Sequence, residues 1–204
     1  MPRERIAGVV LAAGLSSRMG TNKMMLKVGG TSVVRRAVST ALSAGLDPVV
    51  AVVGHESARI RGELAGLCCT AVENPDYARG MNTSLRAGIR ALPDDVEAAV
   101  VLLGDMPLVD AEMLRSLADR FRSARPKLLV STYGEVLAPP ILYARGLFGE
   151  LRALDDEACG KSVVKRHRGE AVELPWPVER LTDLDVPEDL HRIRRQLEGA
   201  TDAR

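Results

Sequence analysis

Short β-branched apolar runs alternate with stretches of helical period along most of this chain, and that alternation restricts the fold more than any other feature of the sequence. The runs fall at residues 6–11, 49–53, 69–73, 98–103, 128–131 and 171–174. Each is nearly continuous in apolar residues, as strands covered on both faces must be, and parallel strands require long crossovers that helices supply. The sequence therefore predicts an α/β domain around a mostly parallel sheet. Between the first two runs Val34, Val38, Ala41 and Leu42 share a helical face; Thr31 or Ser32 can cap its start and Gly45 can end it. Asp110 and Glu112 open a second helix through Leu117 and Phe121. Pro187 takes a first helical position ahead of Leu190, Ile193 and Leu197, with fraying expected over residues 199–204.

At 204 residues the chain is long enough for one buried core, so a single domain over 1–204 is expected, with Pro, Arg and short loops denser after residue 139. Lys plus Arg number 28 against 27 Asp plus Glu, a net charge of +1. That balance argues against a nucleic-acid or anionic-membrane binder, which would carry a basic excess. No apolar run reaches the length of a membrane span and no leader segment precedes the first strand, so a soluble, cytoplasmic protein is expected. Cys68, Cys69 and Cys159 show no metal-ligand or redox spacing and are read as reduced, mostly buried thiols.

Chemistry concentrates in residues 11–23, directly after the first strand, where a parallel sheet presents its ligand-binding carboxyl edge. Small residues at Ala12, Ala13 and Gly14 let backbone N–H groups approach phosphate oxygens, Ser16 and Ser17 add hydroxyls, and Arg18 and Lys23 add cations suited to a triphosphate. Gly20 is followed by Thr-Asn-Lys, which is not a Walker sequence, and Gly14 lacks the nearby glycine of a dinucleotide fingerprint. The plainer reading is a solvated βα loop whose Arg and Lys face water. The fourth apolar run ends in Gly104-Asp105-Met106-Pro107, placing a carboxylate at the same edge. Magnesium binds through one or two carboxylates plus substrate phosphates, so Asp105 could serve it; otherwise it starts a turn that Pro107 stiffens.

Residues 11–23 resemble the LAAG-x-S-x-RMG-x-x-K signature loop of nucleotidyltransferases, with every fixed position present. Within that superfamily the chain is most similar to the molybdenum-cofactor cytidylyltransferases, the MocA-like branch of the MobA-like NTP transferases, which carry alanine at the position of Ala13 where guanylyltransferase relatives have glycine. The resemblance extends through the Asn74-Pro75…Gly80-Met81…Ser84-Leu85 segment, GDMP with Val109, a Pro139-Pro140-Ile141 segment, a partial match at residues 156–161, and Asp183-Leu184-Asp185-Val186-Pro187, where Val186 replaces the usual threonine.

What it implies is a three-layer, Rossmann-like sheet of the nucleotide-diphospho-sugar transferase type, an NTP-binding part over about 1–110 and an acceptor-binding part over about 111–190. It implies transfer of CMP from CTP to molybdopterin with release of pyrophosphate, and a molybdoenzyme client. Arg18, Lys23 and Asp105 would be catalytic. Leu11, Ala12, Ala13, Gly14, Ser16, Asn74, Gly80 and Ser84 would bind nucleotide alongside Arg18 and Lys23, with Mg²⁺ on Asp105 and Asp185. The methyl of Ala13 would narrow the base pocket toward a pyrimidine. Competing readings are a guanylyltransferase for the same cofactor, a sugar-phosphate or methylerythritol-phosphate cytidylyltransferase, and a non-catalytic NTP-binding regulator. Independently of any metal, Asp185 can cap the last helix. His55, His167 and His191 do not group with metal-ligating residues, and the run from Lys165 to Arg168 reads as a solvated face.

Overall fold

A computed structural model describes residues 4–16, 19–155, 160–184 and 186–199. The strands are β1 (Arg5–Ala12), β2 (Lys27–Val28), β3 (Thr31–Ser32), β4 (Val49–Val53), β5 (Thr70–Glu73), β6 (Val96–Leu103), β7 (Leu128–Tyr133), β8 (Val136–Ala144) and β9 (Val172–Trp176). The helices are α1 (Val33–Ser43), α2 (Ser57–Glu63), α3 (Met81–Arg90), α4 (Ala111–Ala124), α5 (Phe148–Arg152), α6 (Gly160–Arg166) and α7 (Pro187–Gly199). Seven strands form one sheet in the order β5-β4-β1-β6-β8-β7-β9, and β2 with β3 make a small hairpin. β1 pairs in parallel with both β4 and β6, β4 with β5, and β7 with β9; β8 alone in this sheet runs antiparallel to its neighbours β6 and β7. The expected mostly parallel α/β sheet with helices on both faces is what the chain forms.

The period of two along each strand divides the core into two layers. Ile6, Val10 and Ala12 of β1 pack with α1, α2 and α4, whereas Ala7, Val9 and Leu11 turn to the side of α3, α5 and α6. Helix α3 approaches so closely that a methyl on Gly88 would lie 2.5 Å from Val9 Cγ1 and 3.0 Å from Val52 Cγ2. A third cluster of Val28, Val33, Leu108, Leu184 and Ile193 fastens α7 to the hairpin.

Helix ends follow the chemistry of their residues. Ser32 caps α1 by accepting from the Arg35 amide, and Gly45, at φ 76°, takes the left-handed turn after it. Asp110 caps α4 through the Met113 amide at 3.0 Å.

Several expectations need correction. Strand β8 was not foreseen, because Pro139 and Pro140 lack the N–H a central strand donates. They are tolerated because β6 pairs with β8 only at residues 141–144, and because the β7 ladder shifts register between Val130 and Ser131 and passes over both prolines. Their carbonyls are used instead, by Ser131 Oγ on Pro140 at 2.7 Å and Tyr133 OH on Pro139 at 2.9 Å. Cys68 is exposed and Cys69 only half-buried, since β5 begins one residue later and the two thiols fall on the turn before an edge strand; Cys159 lies outside the described residues. The run at 165–168 is the solvated face expected, with Lys165, Arg166 and Arg168 exposed, although Arg166 and His167 also reach Glu150, at 2.9 and 2.8 Å.

Candidate active site

Three parallel strands deliver the site. β1 lies between β4 and β6, with Ala12 opposite Val53 and Leu11 opposite Leu103, so the segments leaving all three strands emerge side by side. The β6 turn is fixed by the Gly104 amide, which donates to the Leu11 carbonyl at 2.9 Å. A methyl at Gly104 would meet Met24 Sδ at 2.9 Å and that carbonyl at 3.1 Å, so only glycine brings the β6 turn this close to the end of β1.

The loop after β1 returns to the sheet through side-chain caps. Ser16, itself at φ 55°, accepts from the Lys23 amide through Oγ at 3.1 Å and from the Met19 amide through its carbonyl at 3.0 Å. Asn22, 4 % exposed, accepts from the Met24 amide at 3.1 Å, which starts the short helical turn Lys23–Met25. Lys23 Nζ thereby lies 2.5 Å from Asp105 Oδ2, with the two side chains only 12 % and 15 % exposed. An ion pair this far out of water interacts more strongly than a surface pair.

Beside this pair is a cavity of about 230 Å³ lined by Leu11, Ala13, Gly14, Lys23, Met24, Tyr77, Met81, Ser84, Leu103 and Asp105. Of the residues expected to bind nucleotide, Leu11, Ala13, Gly14, Lys23 and Ser84 line it directly. Gly14 is exposed with open space where a side chain would be, which leaves its backbone accessible to a ligand. Ala12 is fully buried beneath the loop. Ser16 stands behind the wall as a cap. Asn74, 3 % exposed, spends both amide hydrogens on Thr83 Oγ1 and Ser84 Oγ, at 2.8 and 3.0 Å, so its side chain orients Ser84 from behind. Gly80, at φ 122° and ψ 165°, begins α3 in a conformation that L side chains avoid. Arg18 and Asp185 lie outside the described residues, as do Ser17 and residues 156–159. Met24, Tyr77, Met81 and Leu103 complete the lining, and nothing in the spacing of the sequence marks their side chains as facing inward.

Asp105 suits a hard cation: a carboxylate just past a strand end, not fully buried, in the lining of a cavity. Among the described residues no group of three or more His, Cys, Asp or Glu gathers around a point. The Leu184 amide donates to the Asp105 carbonyl at 3.0 Å, so the chain at Leu184 runs beside the Asp105 backbone. Among the described residues no helix is long and apolar enough to cross a membrane.

A loop, a lysine–carboxylate pair and an adjoining cavity thus meet at the carboxyl edge of an α/β sheet, where folds of this class bind their ligands. The chain belongs to the MobA-like NTP transferase domain family, whose model matches residues 8–172, and it is thus a nucleotidyltransferase by family. It is 28 % identical over 203 residues to the purine catabolism protein PucB of Bacillus subtilis, covering 94 % of this chain and 97 % of that one. It is 39 % identical over 105 residues to a bifunctional IPC transferase and DIPP synthase of Rubrobacter xylanophilus; the match takes in 48 % of this chain and only 24 % of that longer relative. Among solved structures it resembles Rv0371c of Mycobacterium tuberculosis, at 28 % identity and a TM-score of 0.83 over 94 % of this chain and 98 % of the other. That protein has also been solved as a manganese complex, at a TM-score of 0.72 and 25 % identity over 94 % and 98 % of the two chains. A fold-level likeness links it to the molybdopterin-guanine dinucleotide biosynthesis protein A of Archaeoglobus fulgidus, at 20 % identity and a TM-score of 0.72 over 95 % and 99 %.

Proposed function

We propose that the chain transfers CMP from CTP to the terminal phosphate of a molybdopterin-type cofactor and releases pyrophosphate. The observation that carries the reading is the Lys23–Asp105 pair at 2.5 Å beside the cavity, a cation for phosphate and a carboxylate for metal drawn from segments 82 residues apart. Ala13 in the cavity wall supports cytidine over guanosine, because its methyl takes space that a purine's second ring would need.

In this reading Gly14 and the loop behind it hold the triphosphate by backbone N–H groups, and Lys23, joined by Arg18, balances charge on the α-phosphate and on departing pyrophosphate. Asp105, and Asp185 from the segment beside it, would hold Mg²⁺, which supplies charge neutralisation to bound phosphates. A phosphate nucleophile is already ionised at neutral pH, so no general base is required; the chain's own work is to align donor and acceptor and to offset charge. We assign nucleotide binding to about 1–110, which includes every cavity-lining residue named above, and acceptor binding to about 111–190.

The test is pyrophosphate release with each of the four NTPs plus Mg²⁺ and reduced molybdopterin cofactor. Turnover with CTP is expected to exceed that with GTP. Preference for GTP would reassign the base, turnover only with a sugar phosphate or methylerythritol phosphate would reassign the acceptor, and NTP binding without turnover on any of these acceptors would leave a regulator.

A further inference from the structure

The chain has few aromatic residues, one Trp, three Tyr and two Phe. Phe121, Tyr133, Tyr143 and Phe148 are all buried in the core, at most 3 % exposed. Tyr77 is used differently: it is half-buried and is the aromatic residue among those lining the cavity. Its position is enforced from behind. A methyl built on Gly54, at the end of β4, would lie 2.7 Å from both Cβ and Cγ of Tyr77 and 2.9 Å from Ala13 Cβ. Tyr77 and Ala13 therefore both press into the space over Gly54 that any side chain there would fill. The same turn is stitched to that wall by the His55 amide, which donates to the Ala13 carbonyl at 3.3 Å, and the His55 ring backs Tyr77 with centroids 6.2 Å apart.

An aromatic ring kept out of the core, wedged against glycine and facing a cavity beside a phosphate-binding pair, has the chemistry of a stacking surface for a nucleobase. We infer that Tyr77 is the platform on which the base of the bound nucleoside triphosphate lies, with Gly54 leaving the room in which its ring comes up beside Ala13. The inference rests on the reading of the cavity as an NTP site and goes beyond it in naming the residue that recognises the base. Stacking is tolerant of base identity, so Tyr77 supplies affinity for the nucleoside while Ala13 limits its size.

The test separates base from phosphate. Wild-type protein and the variants Y77A, Y77L and Y77F are titrated calorimetrically, with Mg²⁺ present, against CTP, GTP and inorganic tripolyphosphate, and folding of each variant is followed by circular dichroism. Y77A is expected to lose roughly 10-fold or more in affinity for the preferred nucleotide, within the range measured for base stacking on aromatic side chains. Tripolyphosphate affinity should stay within about twofold, and Y77F should match wild type. Y77L keeps bulk against Gly54 without a π face, so it should lose nucleotide affinity as Y77A does even if Y77A folds poorly. Unchanged nucleotide affinity in Y77A and Y77L, or an equal loss for tripolyphosphate, would overturn the platform. A wild-type preference for GTP would instead defeat the cytidine reading, while a loss of GTP affinity in Y77L would still support the ring beneath the base.

Discussion

Asp105 and Lys23 show how much depends on single side chains here, because each is held in place by backbone whose purpose is otherwise hard to explain. Asp105→Asn keeps shape and removes charge; turnover with Mg²⁺ is expected to fall on the order of 100-fold or more, the scale of losing a well-placed electrostatic contact, with the circular dichroism spectrum unchanged. Near-normal steady-state rates in that variant would remove the metal assignment. Lys23→Ala should lower kcat by a similar order while changing KM less, since its charge is needed most as negative charge builds on the leaving pyrophosphate. That the two would meet at one edge was legible in the sequence, Asp105 from its place just past a strand and Lys23 from the resemblance of its loop to a signature sequence. Tyr77 and Met81 were not, because a cavity wall is made by side chains facing one another across space, and no periodicity marks a loop residue as inward.

Among the elements, α3 binds its strands through a missing side chain. Gly88→Ala would force a methyl to within 2.5 Å of Val9 Cγ1. Overpacking of this kind costs about 1–3 kcal/mol, so chemical denaturation should show a matching loss of stability. Because α3 also carries Met81 and Ser84 into the cavity, nucleotide affinity should fall with it.

Helices α5 and α6 are joined more weakly. The Glu150 carboxyl is held below its ordinary value of 4.5, first by its hydrogen bond to His167 and then by that from Arg166. A carboxylate with a depressed folded-state pKa contributes stability that is whole above its unfolded value and disappears as pH falls through the folded one. Wild type should accordingly lose its stability advantage over Glu150→Gln as pH is lowered from 7 to below 4.5, as measured by melting temperature. The advantage at neutral pH should be under about 1 kcal/mol, because the pair is largely in water. The element that sequence reasoning missed, β8, failed for a backbone reason: two adjacent prolines contradict a central strand unless the neighbouring ladders skip them, and a skipped ladder leaves no trace in the order of residues.

For the molecule as a whole, a ligand that binds only the folded chain stabilises it by mass action, about 2.7 kcal/mol at 100 times its Kd. For a protein of this size that corresponds to a rise in Tm of roughly 5–10 °C, so a thermal-shift series with Mg²⁺ and each NTP ranks the nucleotides without any knowledge of the acceptor. CTP with Mg²⁺ should give the largest shift; shifts equal for all four would leave base choice to the chemical step. The class of fold was plain from the alternating runs, since few architectures bury so many short continuous strands. The order of the last strands was not, because pairing between distant segments depends on contacts no local pattern encodes.

The lone reversed strand has a consequence for how such a protein can change over time. The three strands that end at the cavity, β1, β4 and β6, are joined to β7 and β9 only across β8, which meets β6 along residues 141–144. Much of what lies beyond that border can change while the Lys23–Asp105 pairing is kept, provided backbone ties such as the Leu184 amide on the Asp105 carbonyl remain. On the proposed reading, the nucleotide side can keep its site while the other flank of the sheet is rebuilt for a new recipient.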